Sequence, residues 1–234
     1  MKDRSTARQA SAGSESSLRQ LAYSRIEELL NWGQLRPSQV ISQRELVETT
    51  GMTLSAIREA VPRLEAEGLL QTLPQRGLMV PSLDVTFIRE AYQMRRVIEL
   101  SAIPDLIQRL DRVIIRDWVD WHRAASVRLT TDDTVDLQTF LRDLQVYDWQ
   151  MHAAMVDSME NSLISNVYRV TAIKIRMTAQ ARVRVTRDNA KRVIAEHIAF
   201  LTPMLEGSAD AAALALSRHI DQSLTIALGG TVAN

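Results

Sequence analysis

From Asp84 onward the sequence repeats apolar residues at helical spacing, in segments of roughly 12 to 20 residues, without the two-residue alternation of a strand. Chains patterned this way fold as bundles of helices that bury their apolar stripes against one another. The spacing predicts helices over about 84–101, 104–128, 133–157, 161–180, 186–206 and 208–228. Pro104 follows the first of these. A proline inside a helix removes a donor and crowds the carbonyl four residues back, so a break or kink is expected there.

The residues before Asp84 follow a different plan. Residues 1–17 are rich in Ser, Ala, Arg and Gln and lack apolar periodicity, which reads as a disordered tail. Leu18, Leu21, Ala22, Ile26, Leu29 and Leu30 then recur at helical spacing, with Gly33 as a stop. Ser42 is placed to cap a short helix over Gln43 to Thr50, with Glu45 completing a capping box. Gly51, Met52 and Thr53 form a tight turn before a third helix from about Ser55 to Glu67, which Gly68 closes. Two strand-like runs, LLQT and LMVPS, flank LPQRG. Helix, helix, glycine-containing turn, helix and hairpin is the order of a winged helix-turn-helix, here residues 18–82. Pro81 to Asp84 marks the boundary with a mainly α, all-helical second domain over 84–230. Within the recognition helix Ile57, Ala60, Val61 and Leu64 share a buried face. That leaves Thr53, Leu54, Ser55 and Arg58 outward, with Arg44 on the preceding helix and Gln75, Arg76 and Gly77 at the wing tip.

Composition narrows the function classes. The absence of cysteine rules out disulfides, thiolate catalysis and cysteine-held zinc. No apolar run approaches the ~20 residues needed to cross a bilayer, and the first 17 residues hold no apolar stretch for a secretion signal, so a cytoplasmic protein is expected. The chain balances 28 basic against 28 acidic side chains, and residues 18–82 hold seven arginines and seven glutamates. DNA binding must therefore rest on the placement of a few arginines and on a dimer that doubles them.

The stretch from Ile41 to Ser82, ISQRELVETTGMTLSAIREAVPRLEAEGLLQTLPQRGLMVPS, resembles the GntR superfamily of transcription regulators. The resemblance runs through the SxREL helix, the REA…RLEAEGLL core and the Arg-Gly wing, and it implies that Arg44, Thr53, Ser55, Arg58, Arg76 and Gly77 contact an operator. The sequence departs from the family at two points. Leu54 stands where the family has an arginine, so operator sequence does not carry over. Pro62 lies inside the recognition helix, where a kink or irregularity is expected.

The chain has four histidines, which makes their spacing informative. Asp148 and His152 lie four apart on one helix face, while His197 and His219 fall on two later helices. A bundle that gathered them would offer one carboxylate and three imidazoles, a set suited to zinc, nickel, manganese or iron with positions left open. Residues 84–228 resemble the FCD effector domain of the FadR-like branch, whose metal-binding members carry Asp-x-x-x-His, Glu-His and a final histidine. The resemblance implies a divalent metal, zinc first among the candidates, on Asp148, His152, His197 and His219. It also implies Arg95 as a carboxylate clamp and Asn161 beside the cavity. His122 has no counterpart in that pattern and reads as a surface or half-buried residue. Glu196, adjoining a ligand, is expected to point off its face.

Three functions follow as expectations. The first is a homodimeric repressor that binds a two-fold symmetric DNA operator and senses a small carboxylate through a metal-containing pocket. The second is the same regulator with a metal-free pocket for another effector. The third is a metal-dependent hydrolase, against which stand the lack of an evident general base and the DNA-reading domain.

Overall fold

In a computed structural model of the chain, residues 3–131, 136–182 and 187–232 are described, with side chains over 17–131, 136–178 and 187–232. Contacts divide the chain into two compact units. The first comprises the residues up to Asp84 with Arg176–Ala181, and the second comprises the rest.

The first unit holds α1 (Asp3–Asn31), β1 (Val40–Ile41), α2 (Gln43–Thr50), α3 (Leu54–Ala66), β2 (Gln71–Leu73) and β3 (Gly77–Met79). The expected tail is a correction over Asp3–Ser17: these residues continue α1 upstream, while residues 1–2 lie outside the described set. The run has no proline, and its alanines, arginines and glutamines are good helix formers, so the helix propagates without an apolar stripe of its own. The α2 start is as the sequence specifies. Ser42 Oγ accepts from Glu45 N at 3.1 Å, and the Glu45 carboxylate accepts from Ser42 N at 2.7 Å. Gly51 ends α2 in the left-handed region at φ 68°. Thr53 caps α3, and Ala56, Ile57, Ala60, Val61 and Leu64 bury its inner face. Pro62 does not end α3, because it sits on the exposed side, where a helix best tolerates a missing hydrogen bond. The sheet order is β1-β3-β2, all antiparallel; the two-residue β1, read in the sequence only as extended chain, pairs Val40 with Met79 and Ile41 with Leu78.

The second unit is the helical bundle: α4 (Val85–Arg109), α5 (Arg112–Thr131), α6 (Leu137–Asp157), α7 (Ser162–Arg182, apart from the Arg176–Ala181 stretch grouped with the first unit), α8 (Arg187–Glu206) and α9 (Ala209–Ala227). The break expected at Pro104 comes later. Pro104 is exposed and α4 runs past it; the chain turns at Asp111, whose side chain accepts from Val113 N at 2.9 Å and starts α5. The core is built from α4, α5, α6, α8 and α9 around Phe200, Leu201, Leu216 and Ile220, with Met151 and Met155 filling gaps between helices.

Candidate functional site

Three helices of the bundle bring four polar side chains into this apolar interior, and these meet. Asp148 and His152 project together from α6, His197 comes from α8 and His219 from α9. His152, His197 and His219 are each no more than 3% exposed, and their donor atoms lie within 4.8 Å of one another. Asp148 Oδ1 lies 3.1 Å from His197 Nε2 and 3.5 Å from His152 Nε2. The side chain of Asp148 is 26% exposed, so the group opens to solvent along its edge.

Each ring is held from behind. Glu99, fully buried on α4, places Oε2 2.9 Å from His152 Nδ1. Glu196 accepts from His219 Nδ1 at 2.7 Å and from Arg192 at 2.5 Å. His122, at 0% exposure, sets its Nε2 2.8 Å from His197 Nδ1, and its own Nδ1 lies 2.7 Å from the Trp118 carbonyl. Two sequence expectations are corrected here. His122 is core, because α5 turns it inward beside Trp118 and Val119, and Glu196 points at the cluster, because it orients His219.

Hydrogen bonding fixes the proton positions. A carbonyl only accepts, so His122 Nδ1 carries the proton at Trp118 and its Nε2 accepts from His197 Nδ1. His219 Nδ1 is likewise bonded to Glu196, so the Nε2 lone pairs of His197 and His219 face the group, while His152 Nδ1 lies 2.9 Å from Glu99 Oε2, an oxygen without a hydrogen-bond partner. His197 Nε2 is buried without a hydrogen-bond partner, opposite a carboxylate oxygen that also only accepts. Two facing acceptors call for a cation between them. Arg95 supplies one on the opposite flank: its Nη2 lies 3.1 Å from His152 Nε2 and 3.3 Å from His219 Nε2, and its Nε donates to Glu99 at 2.7 Å.

The electrostatics match. Burial pushes the His197 and His219 rings down, and it takes His122 to about 4 with help from the neighbouring His197. These imidazoles are therefore neutral and able to donate lone pairs at neutral pH. Burial pushes the Glu99 carboxyl up, but Arg95, with His152 and Tyr168, pulls it further down, to about 2. Asp148 is held well below the usual carboxylate range, because His197, His152 and Arg95 outweigh the effect of burial.

Asn161 is not brought to this group. It is exposed at the start of α7, where its Oδ1 accepts from Leu163 N at 3.1 Å and Ile164 N at 3.3 Å, as a helix cap does. In the first unit Arg44, Thr53, Ser55, Arg58 and Arg76 are all exposed. Thr53 accepts from Ala56 N at 3.2 Å, Ser55 donates to Glu59 at 3.2 Å, and Arg58 Nε donates to Gln43 at 3.2 Å. Gly77 has φ 105°, and a Cβ there would stand 2.7 Å from the Ile41 carbonyl oxygen. The approach of β1 therefore already demands this glycine.

Comparison with known proteins places both units. Residues 18–80 match the gntR family of bacterial regulatory proteins, and residues 90–222 match the FCD domain. The Nta operon transcriptional regulator of Aminobacter aminovorans is 24% identical over 83% of this chain and 89% of its own length. The HTH-type regulator YdhC of Bacillus subtilis is 29% identical, but over 38% of this chain and 40% of its own. The similarity to a regulator in an unstable DNA locus of Streptomyces ambofaciens is 26% over 42% of each chain. The chain thus spans about two fifths of the length of these last two relatives. Among solved structures, E. coli McbR/YncC superposes with a TM-score of 0.76 at 15% identity, covering 91% of this chain and 97% of that one. A GntR regulator from Rhodococcus sp. RHA1 gives 0.66 at 19%, covering 93% and 100%. The matched domains are those of transcription regulators and not of enzymes, and no helix among the described residues is long and apolar enough to cross a membrane. A winged DNA-reading unit at 18–80 joined to a helical domain at 90–222 makes this chain a member of the GntR family of transcriptional regulators, in the branch that carries an FCD domain.

Proposed function

We propose that the protein is a homodimeric, cytoplasmic repressor that senses a small carboxylate through a divalent metal held by Asp148, His152, His197 and His219. The observation that carries this reading is the convergence of three Nε2 atoms and one carboxylate oxygen, each ring backed by its own partner. Such backing is the usual surround of a metal-binding histidine, since it fixes the tautomer and orients the lone pair. A bound divalent ion would supply Lewis acidity toward an oxygen ligand. Zinc suits this donor set, and nickel, manganese and iron are accepted by the same ligands.

The chain's own residues do the rest. Arg95 offers a planar fork to a carboxylate, already oriented by Glu99. The half-exposed edge at Asp148 is the way in for an effector. Asn161 is retained as an effector contact only for a ligand that reaches the start of α7. Arg95 lies ten residues beyond the start of α4, about 15 Å along an unbroken helix that begins at the boundary with the DNA-reading unit. A shift of Arg95 on ligand binding is therefore delivered to the linker, changing how two recognition helices meet two half-sites. Arg44, Thr53, Ser55 and Arg58 present the DNA-facing side of α2 and α3, and Arg76 and Gly77 the wing. Exposed Met94 and Val97 on α4, with Leu163 and Val167 on α7, offer an apolar face for the second protomer.

A metal-free pocket is the second reading, favoured by the Arg95 guanidinium already satisfying His152 and His219. Elemental analysis of the purified protein, with thermal shifts on adding hydroxy acids and dicarboxylates, separates the two. One metal per chain and a carboxylate shift lost in His197→Ala support the first. A carboxylate shift without metal supports the second.

A further inference from the structure

The four histidines of the chain fall into two roles, and the second has a single member. His152, His197 and His219 direct Nε2 into the cluster, whereas His122 directs its Nε2 at the back of His197. We propose that His122 is a positioning residue that fixes the tautomer of His197, so that the His197 Nε2 lone pair always faces Asp148 and the cluster. The inference rests on the metal-centre reading above.

The geometry leaves His122 little freedom. Its Nδ1 is tied to the Trp118 carbonyl one turn back on α5 at 2.7 Å, so a neutral ring must present an acceptor at Nε2. That acceptor lies 2.8 Å from His197 Nδ1, and both rings are at 0% exposure. Trp121 closes on its edge at a centroid distance of 5.1 Å, and Tyr147, stacked on Trp121, at 5.6 Å. Without His122 the proton of His197 would move to Nε2, where Asp148 waits at 3.1 Å to accept it. The ring would then have no lone pair for a metal.

The pair also makes His197 unlike its companions. His152 and His219 are backed by the carboxylates of Glu99 and Glu196, which increase the basicity of the ligand nitrogen. His197 is backed by a neutral ring and keeps a weaker donor.

The first test is direct and uses the intact protein. With nitrogen-15 in its histidines, long-range proton–nitrogen correlation gives the tautomer of each ring, and four single-histidine variants assign the signals. The proposal requires Nδ1–H at both His122 and His197; Nε2–H at either overturns it. The second test is Co2+ affinity by chelator competition, with the visible absorption band as a reporter of coordination. His122→Phe should weaken Co2+ binding on the order of 10- to 100-fold. His122→Gln, which keeps an acceptor, should recover most of the loss. Equal affinity in a folded His122→Phe overturns the proposal. If the wild type binds no Co2+ while both tautomers are as stated, the metal reading fails and the positioning of His197 stands.

Discussion

Glu99 on α4 and His152 on α6 meet at 2.9 Å between Oε2 and Nδ1, where neither side chain is more than 4% exposed. The other oxygen of Glu99 accepts from Arg95 at 2.7 Å and from Tyr168 at 2.6 Å. One carboxylate thus neutralises a buried guanidinium and lies against an imidazole. Removing its charge leaves Arg95 uncompensated in a dry interior. Glu99→Gln should lower unfolding stability by about 3–5 kcal/mol, read from urea denaturation. A loss below about 1 kcal/mol would mean that the ion pair does not form in solution.

Stability should fall on mild acidification. The folded protein holds His122 at about 4, against the ordinary 6.5, and holds His197 and His219 below their ordinary value as well. Between those pH values the unfolded chain binds protons that the folded chain refuses. Stability is therefore full above about pH 6.5 and is lost as pH falls toward 4. The His122 contribution alone is on the order of 3 kcal/mol. Denaturation midpoints of chelator-treated protein at pH 7 and pH 4 measure it, and His122→Phe should show a smaller drop. Equal midpoints for the wild type would contradict neutral buried rings.

At the wing, Gly77→Ala should be disfavoured twice, by a left-handed φ of 105° and by a Cβ 2.7 Å from a backbone oxygen. A loss of about 1–3 kcal/mol is expected, with weaker operator binding because the wing and β1 must part. Retained stability would show that the β1–β3 pairing gives way easily.

On the exposed side of α3, Arg58→Ala should leave the fold intact, since the side chain is exposed and hydrogen-bonds Gln43. If Arg58 reads a base, affinity drops by about 1–3 kcal/mol and preference at one position relaxes; if Arg76 meets a phosphate, Arg76→Ala weakens all sequences alike and reduces the salt slope by about 1. Gel-shift titrations at two salt concentrations separate the cases. Unchanged affinity in Arg58→Ala removes it from the interface.

Much of this was legible in the sequence wherever a local rule governed. The Ser42–Glu45 capping box, the Gly51 stop and the α6 spacing of Asp148 and His152 all depend on neighbours within four residues. Long-range placement was harder to read. Nothing local distinguishes His122 from a surface residue, and only the packing of α5 on α8 makes it a partner of His197. The sequence at Pro104 suggests a break or kink, yet α4 runs past it as α3 runs past Pro62, because the harm of a proline depends on which side of the helix it occupies and both are exposed. Helix propensity without periodicity was under-read in α1. For Glu196, adjacency to His197 suggests the wrong face, whereas a second helix brings His219 to it.

Gathering every histidine into one interior also affects the outside of the molecule. With all four buried, no surface side chain has an ordinary pKa between about 5 and 8. Basic and acidic residues balance at 28 each. The charge carried by the exposed side chains is thereby insulated from swings in acidity near neutrality, which leaves salt screening as the variable that sets how strongly this surface meets other charges.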